Sequence, residues 1–132
     1  MEQIATSLMF VGDQSGRTEE AIGLYVSLFD DSRIVDVVRY EEGEGMTGVK
    51  QASFELLGRR FTAMDGGDAH AFTFTPATSL VVEFDDEERL GHVYSSLGEG
   101  GEELMPLGDY GFARKYGWIN DRYGVSWQFV LR

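Results

Sequence analysis

The sequence contains no cysteine, which excludes a disulfide framework, a thiol nucleophile and a thiolate metal site. It has only two histidines, His70 and His92, and only two lysines among its 11 basic residues. With 23 acidic residues the formal net charge is −12, and such a surface repels phosphate backbones and anionic lipid. We therefore expect neither nucleic-acid nor membrane partners.

Long apolar runs are missing as well. No stretch approaches the roughly 18 residues that a membrane span needs, and the start, Met1-Glu2-Gln3, lacks the basic and apolar regions of a signal peptide. The 132 positions do carry 42% hydrophobic and 13% aromatic residues, enough for the core of one domain. These features predict a soluble, cytoplasmic globular protein.

Apolar and strand-forming runs, separated by turn residues, predict the elements of the first half. A stripe of apolar residues at helical spacing within 19–29 favours a helix with Thr18 as its cap. The predicted elements are a strand over 4–11, this helix, a strand over 33–40, an exposed Gly- and Glu-rich loop over 41–48, a hairpin over 49–64 and a turn over Asp65–Asp68.

The second half repeats this order. The predicted elements are a strand over 79–84, a helix over 86–97, a short strand near Leu104, a strand within 111–120 and a last strand over 125–131. The motif EExIGxxxS at 19–27 recurs as EExLGxxxS at 87–95, a constant offset of 68. We interpret the chain as a single domain of two βαβββ modules, 1–68 and 77–132, joined by a bridging segment.

Three local strings are more specific than this plan. They are AIGLYVSLF followed by DSRI at 21–34, FTAMDGG leading to FTF at 61–74, and YGWINDRYGVSWQ at 116–128. They resemble the PhnB-like branch of the vicinal oxygen chelate superfamily, which includes glyoxalase I, ring-cleaving dioxygenases, and bleomycin and fosfomycin resistance proteins. The resemblance covers essentially the whole chain. This branch is also labelled 3-demethylubiquinone methyltransferase-like, although the sequence has no glycine-rich cofactor loop of a methyltransferase.

The resemblance implies an α+β fold in which two tandem βαβββ modules form a curled mixed β-sheet cup with helices outside. It also implies a homodimer whose cup holds a small-molecule ligand, with a divalent metal in the enzymes of the superfamily. Alignment by the motifs assigns the four metal-ligand positions to Thr6, Gln51, Ser79 and Gln128. None of these supplies a carboxylate or an imidazole, so we expect no metal and no cofactor.

A polar-lined cup suits a neutral or weakly polar ligand, because its hydroxyl and amide groups donate and accept hydrogen bonds. Aromatic side chains would supply apolar walls. The predicted ligand-binding set is Thr6, Phe10, Gln51, Phe72, Ser79, Trp118 and Gln128. Trp127 alternates with Gln128 and is expected to face the helix layer instead.

Other constellations are less specific. A Ser–His–Asp triad around His92 is not supported, because no G-x-S-x-G motif occurs. Of Arg59 and Arg60, at most one points into the cup, since neighbouring strand residues face opposite ways. Three functions stay open at this point. The first is a metal-free small-molecule binding dimer. The alternative is a lyase or isomerase with a rebuilt site that uses Asp65, Asp121 or a cup tyrosine as base, and the third is an interaction subunit without a ligand.

Overall fold

Each half of the chain forms one four-stranded mixed sheet with a single α-helix, in a computed structural model that describes residues 1–132. The chain divides into two compact units, Met1–Thr73 and Phe74–Arg132. The elements of the first are β1 (Thr6–Val11), a short 3-10 helix (Gly12–Gln14), α1 (Thr18–Leu28), β2 (Arg33–Arg39), β3 (Val49–Leu56) and β4 (Arg59–Gly67). The elements of the second are β5 (Leu80–Phe84), α2 (Glu87–Gly98), β6 (Glu102–Gly108), β7 (Lys115–Asn120) and β8 (Ser126–Leu131). Neither α-helix has the length and apolar character to cross a membrane.

The two sheets have the same connectivity. Their strand orders are β1-β4-β3-β2 and β5-β8-β7-β6. The first strand of each sheet pairs in parallel with the last strand, and the other pairs are antiparallel. The predicted βαβββ order and the α+β fold class are therefore confirmed.

In the first sheet, alternate residues separate a helix-covered face from a helix-free face. Leu8 pairs with Ala63 and Phe10 pairs with Asp65. Because the Asp65 side chain contacts Thr18 in α1, these residues lie on the face that α1 covers. The buried apolar residues of this face include Leu8, Phe10, Ala52, Phe54, Phe61 and Ala63. The opposite, helix-free face carries Ser7, Met9, Gln51, Ser53, Thr62 and Met64.

The second sheet is divided in the same way. The Tyr94 ring of α2 meets Phe129 edge-on, with ring centroids 5.2 Å apart, so Phe129 marks the helix-covered face. Trp127, two positions earlier on β8, is 1% exposed and shares that face, as predicted. The helix-free face carries Val81, Tyr116, Trp118, Asn120, Ser126 and Gln128.

Two sequence predictions are wrong at the start of α1 and the end of β4. Thr18 does not cap α1 from outside but is its first residue, and the preceding Arg17 makes no side-chain cap. Asp65 accepts a hydrogen bond from the Thr18 backbone N–H instead, at 3.2 Å. The predicted turn over Asp65–Asp68 does not begin at Asp65, because β4 continues to Gly67 with Asp65 paired to Phe10.

Candidate functional site

A chain of hydrogen bonds centred on Ser126 lies on the helix-free face of the second sheet. The indole Nε1–H of Trp118 donates to Ser126 Oγ at 2.8 Å, and the hydroxyl oxygens of Ser126 and Ser79 are 2.7 Å apart. Ser126 is 2% exposed, so these are the contacts that satisfy its hydroxyl away from water. Two predicted site residues, Ser79 and Trp118, are thereby brought together.

Ser126 is a site residue that the sequence motifs did not single out. It precedes Gln128 by two positions on β8, and strand alternation places both side chains on one face. Applying that spacing to the string at 116–128 would have found it.

The amide of Gln128 is oriented by Tyr116. The Tyr116 hydroxyl donates to Gln128 Oε1 at 2.6 Å, and Gln128 is the Cα partner of Trp118 across β7 and β8. Burial raises the pKa of the Tyr116 phenol, with a smaller contribution from Tyr110. Tyr116 therefore keeps its proton and its role as donor, which makes it unsuitable as the catalytic base of the alternative function.

Fewer of the predicted ligand-binding residues lie on the helix-free face of the first sheet. Gln51 lies exposed on the helix-free face, whereas the Cα partner of Thr6 is Phe61, on the helix-covered face. Phe10 is 0% exposed beneath α1 and cannot line a ligand surface. Phe72 is 58% exposed in the segment after β4 and stacks on His70, with ring centroids 4.7 Å apart. Thr6 and Phe10 therefore do not belong to the candidate site, because the alternation of residues along β1 places both on the helix-covered face.

The four positions that the resemblance assigns to metal ligands do not fit a divalent metal. Thr6, Gln51, Ser79 and Gln128 offer only neutral oxygens, whereas such sites are built from imidazole and carboxylate donors. Register also places Thr6 on the opposite face of its sheet from Gln51. Nowhere does the chain gather three or more His, Cys, Asp or Glu side chains in a metal-binding arrangement.

Asp65, one candidate base, is engaged in holding the backbone. Its Oδ1 accepts hydrogen bonds from Gly16 N and Thr18 Oγ1 at 2.6 and 2.7 Å, and its Oδ2 accepts one from Val49 N at 2.7 Å. The carboxylate is fully buried on the helix-covered face. These contacts assign Asp65 a structural role.

Asp121 has a similar role in the turn between β7 and β8. Its Oδ1 accepts hydrogen bonds from the backbone N–H groups of Tyr123 and Val125, at 2.9 and 3.0 Å. Its Oδ2 accepts one from the indole Nε1 of Trp127 at 2.9 Å. The carboxylate therefore fixes the turn and the buried Trp127 and does not point to acid–base chemistry.

Two further features carry little ligand chemistry. Arg60 lies on the helix-free face and Arg59 on the other, as strand parity predicts, but Arg60 is exposed and donates to the Gln3 side chain at 3.0 Å. The loop between β2 and β3 borders open hollows of 520 and 310 Å³. Glycines, exposed acidic residues and Met46 form much of their linings, and Tyr40 is the one aromatic residue among them.

The family model described as 3-demethylubiquinone-9 3-methyltransferase matches residues 2–130. The PhnB protein from Bacillus cereus is 47% identical, with a TM-score of 0.92, over 99% of this chain and 100% of that one. No curated protein matches the sequence.

More distant structures share the fold alone. Protein PA1353 from Pseudomonas aeruginosa has a TM-score of 0.84 at 22% identity, over 100% of this chain and 98% of that one. The fosfomycin resistance protein FosX from Mesorhizobium loti has a TM-score of 0.59 at 13% identity, over 100% of this chain and 93% of that one.

Proposed function

We propose that this chain, which belongs to the 3-demethylubiquinone-9 3-methyltransferase family and has the fold of the vicinal oxygen chelate superfamily, is a metal-free binding protein for a small molecule with an apolar or aromatic body. The observation that carries the proposal is the neutral hydrogen-bonded chain of Ser79, Ser126 and Trp118 beside Gln128. A few fixed polar groups next to an aromatic side chain are typical of small-molecule sites.

The charges around this face favour an uncharged ligand. The four polar side chains are neutral at physiological pH. The acidic neighbour Glu83, on β5, is already paired with Arg132. Val81, 56% exposed on the same strand and face as Glu83, adds apolar surface.

Methyl transfer is not part of the proposal. The family description names that reaction, but the sequence has no glycine-rich cofactor loop of a methyltransferase. Fosfomycin resistance is a property of relatives that share only the fold. A cytoplasmic location stays a prediction from the composition.

The two tryptophans provide the test, because Trp118 lies on the helix-free face and Trp127 on the helix-covered face. Each gives one indole N–H resonance in a ¹⁵N spectrum, and Trp118→Phe assigns them. In a titration with a library of uncharged aromatic and aliphatic molecules, we expect some members to shift the Trp118 signal while the Trp127 signal stays fixed. If no member shifts Trp118 at millimolar concentration, the binding function is wrong.

We also propose that two copies of the chain form a dimer. The outer strands β1, β2, β5 and β6 each pair on one side only within their sheets, and exposed strand edges favour association. Phe112 is 61% exposed and packs against the Tyr116 ring at 5.0 Å, which makes it a candidate contact. Phe10 is completely buried within the chain and therefore cannot contribute to such a contact.

Light scattering at micromolar concentration tests the dimer. A mass twice the 14.8 kDa of one chain supports it, and a mass near that of one chain overturns it. Phe112→Ser should shift the equilibrium towards the single chain. Phe72→Ser, which removes an equally exposed ring outside the strands, is the matched control and should leave the mass unchanged.

A further inference from the structure

Trp118 is held in place before any ligand arrives. Its indole N–H is committed to Ser126 Oγ at 2.8 Å, and Ser126 is itself fixed by Ser79 at 2.7 Å. The Trp118 ring is half-buried, so part of it is accessible on the helix-free face. A fixed indole loses little conformational entropy on binding and offers a surface on which a flat π-system stacks.

Beside Trp118, the side-chain amide of Gln128 has its oxygen already hydrogen-bonded. Its Oε1 accepts the hydrogen bond from Tyr116, which directs its NH₂ group to a different partner. Gln128 and Trp118 are Cα partners across an antiparallel strand pair, a position in which side chains interact directly. A molecule lying on the Trp118 ring therefore brings its edge to two N–H donors, and these require an acceptor oxygen or nitrogen.

The charges nearby define that acceptor further. Glu83 and Glu102 flank the face on β5 and β6, and Arg132, a nearby cation, is paired with Glu83. The chain carries a net charge of −12. A carboxylate or phosphate on the ligand would meet no unpaired cation here, whereas a neutral carbonyl oxygen satisfies the Gln128 NH₂ group without that electrostatic cost.

We infer that the ligand is an uncharged, planar aromatic molecule that carries a carbonyl oxygen, stacked on Trp118 and hydrogen-bonded through that oxygen to the Gln128 amide. This inference rests on the proposed binding function and specifies the chemical class of its ligand. Gln128 is the specificity-determining residue, and Tyr116 is the positioning residue that sets the orientation of its amide.

Coumarin and 2H-chromene provide matched probes, because they share one bicyclic skeleton and only coumarin has the exocyclic carbonyl oxygen. Both are titrated into the full chain while the Trp118 indole N–H signal is followed. We expect coumarin to bind about fivefold more tightly than 2H-chromene, the effect of one hydrogen bond of ordinary net strength. Coumarin-3-carboxylate, which adds a negative charge, should bind more weakly than coumarin.

The variants show which residue produces the preference. Gln128→Leu should bind the two probes equally, whereas Gln3→Leu, which removes an amide before β1, should keep the fivefold ratio. Tyr116→Phe leaves the Gln128 amide free to turn and should reduce the ratio, which keeps the test decisive if Gln128→Leu does not fold. Trp118→Leu removes the reporting indole, so its binding is followed by titration calorimetry, and it should weaken both probes together.

The outcomes separate the two proposals. If library molecules shift Trp118 but coumarin shows no preference over 2H-chromene, does not bind, or keeps its preference in Gln128→Leu, the inferred ligand class is wrong and the binding function stands. If neither probe nor any library molecule shifts Trp118, the binding function itself is wrong.

Discussion

Oδ1 of Asp65 accepts a hydrogen bond from the Thr18 hydroxyl at 2.7 Å, although 47 residues separate them in the chain. The same carboxylate accepts hydrogen bonds from backbone N–H groups of Gly16, Thr18 and Val49. One buried side chain on β4 thus holds the start of α1 and the start of β3.

Asp65→Asn should destabilise the protein strongly. The amide replaces one acceptor oxygen with a donor that faces N–H groups, so at least one buried donor loses its partner. A buried N–H donor that loses a charged acceptor lowers the free energy of unfolding by an amount on the order of 3 kcal/mol. Urea unfolding measures this. Asp68→Asn, a change at an exposed position three residues later, should alter the free energy of unfolding by no more than about 0.5 kcal/mol. Equal effects of the two variants would contradict the role of Asp65.

A pair of glycine substitutions tests how closely the chain packs on Asp65. Gly43 and Gly48 have φ of 93° and 96°, so an alanine at either position carries the same backbone strain. A Cβ at Gly48 would lie 2.2 Å from Asp65 Oδ2, whereas one at Gly43 meets nothing within 4 Å. Gly43→Ala should cost about 1 kcal/mol, and Gly48→Ala should cost clearly more in thermal or urea unfolding. Similar costs would show that Asp65 moves aside freely.

The cap of α2 is conventional and can be tested directly. Asp86 accepts hydrogen bonds through its side chain from Glu88 N and Arg89 N, at 2.9 and 3.3 Å. Asp86→Ala should lower the free energy of unfolding by about 1 kcal/mol, the usual effect of removing an N-cap. Asp85→Ala removes the same charge one position earlier and should have a smaller effect. A larger loss from Asp85→Ala would contradict the assignment.

Alkaline pH should weaken the fold through Tyr94. Burial raises the pKa of its phenol well above the ordinary value, and the hydrogen bond to Glu103 adds to the shift. The folded state then holds the proton more tightly than the unfolded chain, so its contribution to stability is present below about pH 10 and is lost as pH rises beyond it. Urea unfolding from about pH 9 to about pH 11 should show a falling free energy of unfolding.

Tyr94→Phe should make that fall shallower, because the titrating group is gone. It should also lower stability at neutral pH by about 1 kcal/mol through the lost hydrogen bond. Tyr110→Phe, which removes a more exposed phenol, is the control. Parallel curves for Tyr94→Phe and wild type above about pH 10 would show that Tyr94 does not cause the effect.

Periodicity predicted the order of elements because apolar spacing is a local property of the chain. All eight strands and both helices were anticipated, and α2 was predicted close to its observed bounds, Glu87–Gly98. Asp86 caps that helix from the adjacent position, so the signal is contained in neighbouring residues.

The predicted cap of α1 was wrong for the opposite reason, because the residue that caps this helix is distant in the chain. Its cap comes from Asp65, and no local pattern relates positions 47 residues apart. The same carboxylate explains why Asp65–Gly67 is strand despite its turn-like composition, since its long-range hydrogen bonds outweigh the local preference of Asp and Gly for turns.

Only part of the predicted set lies together. Ser79 and Gln128, which alignment to the family assigned, share a face with Trp118, which was predicted as an aromatic wall, whereas Thr6 lies on the other face of its sheet from Gln51. The pairing register of a strand decides which of its alternate residues face the helix. The partner of β1 is β4, which begins more than fifty residues after the start of β1. Composition and motif spacing do not specify that register.

The pairing of each first strand with the last strand of its sheet also governs the order of folding. β1 gains its partner only when Thr6 meets Phe61, and β5 only when Leu80 meets Trp127. The antiparallel β3–β4 and β7–β8 pairs close over short turns and so can form early, whereas the parallel pairs must first close long loops of chain. During synthesis on the ribosome β1 therefore remains without its sheet partner until β4 emerges, and the interval in which its backbone is open to other chains is set by the rate of elongation.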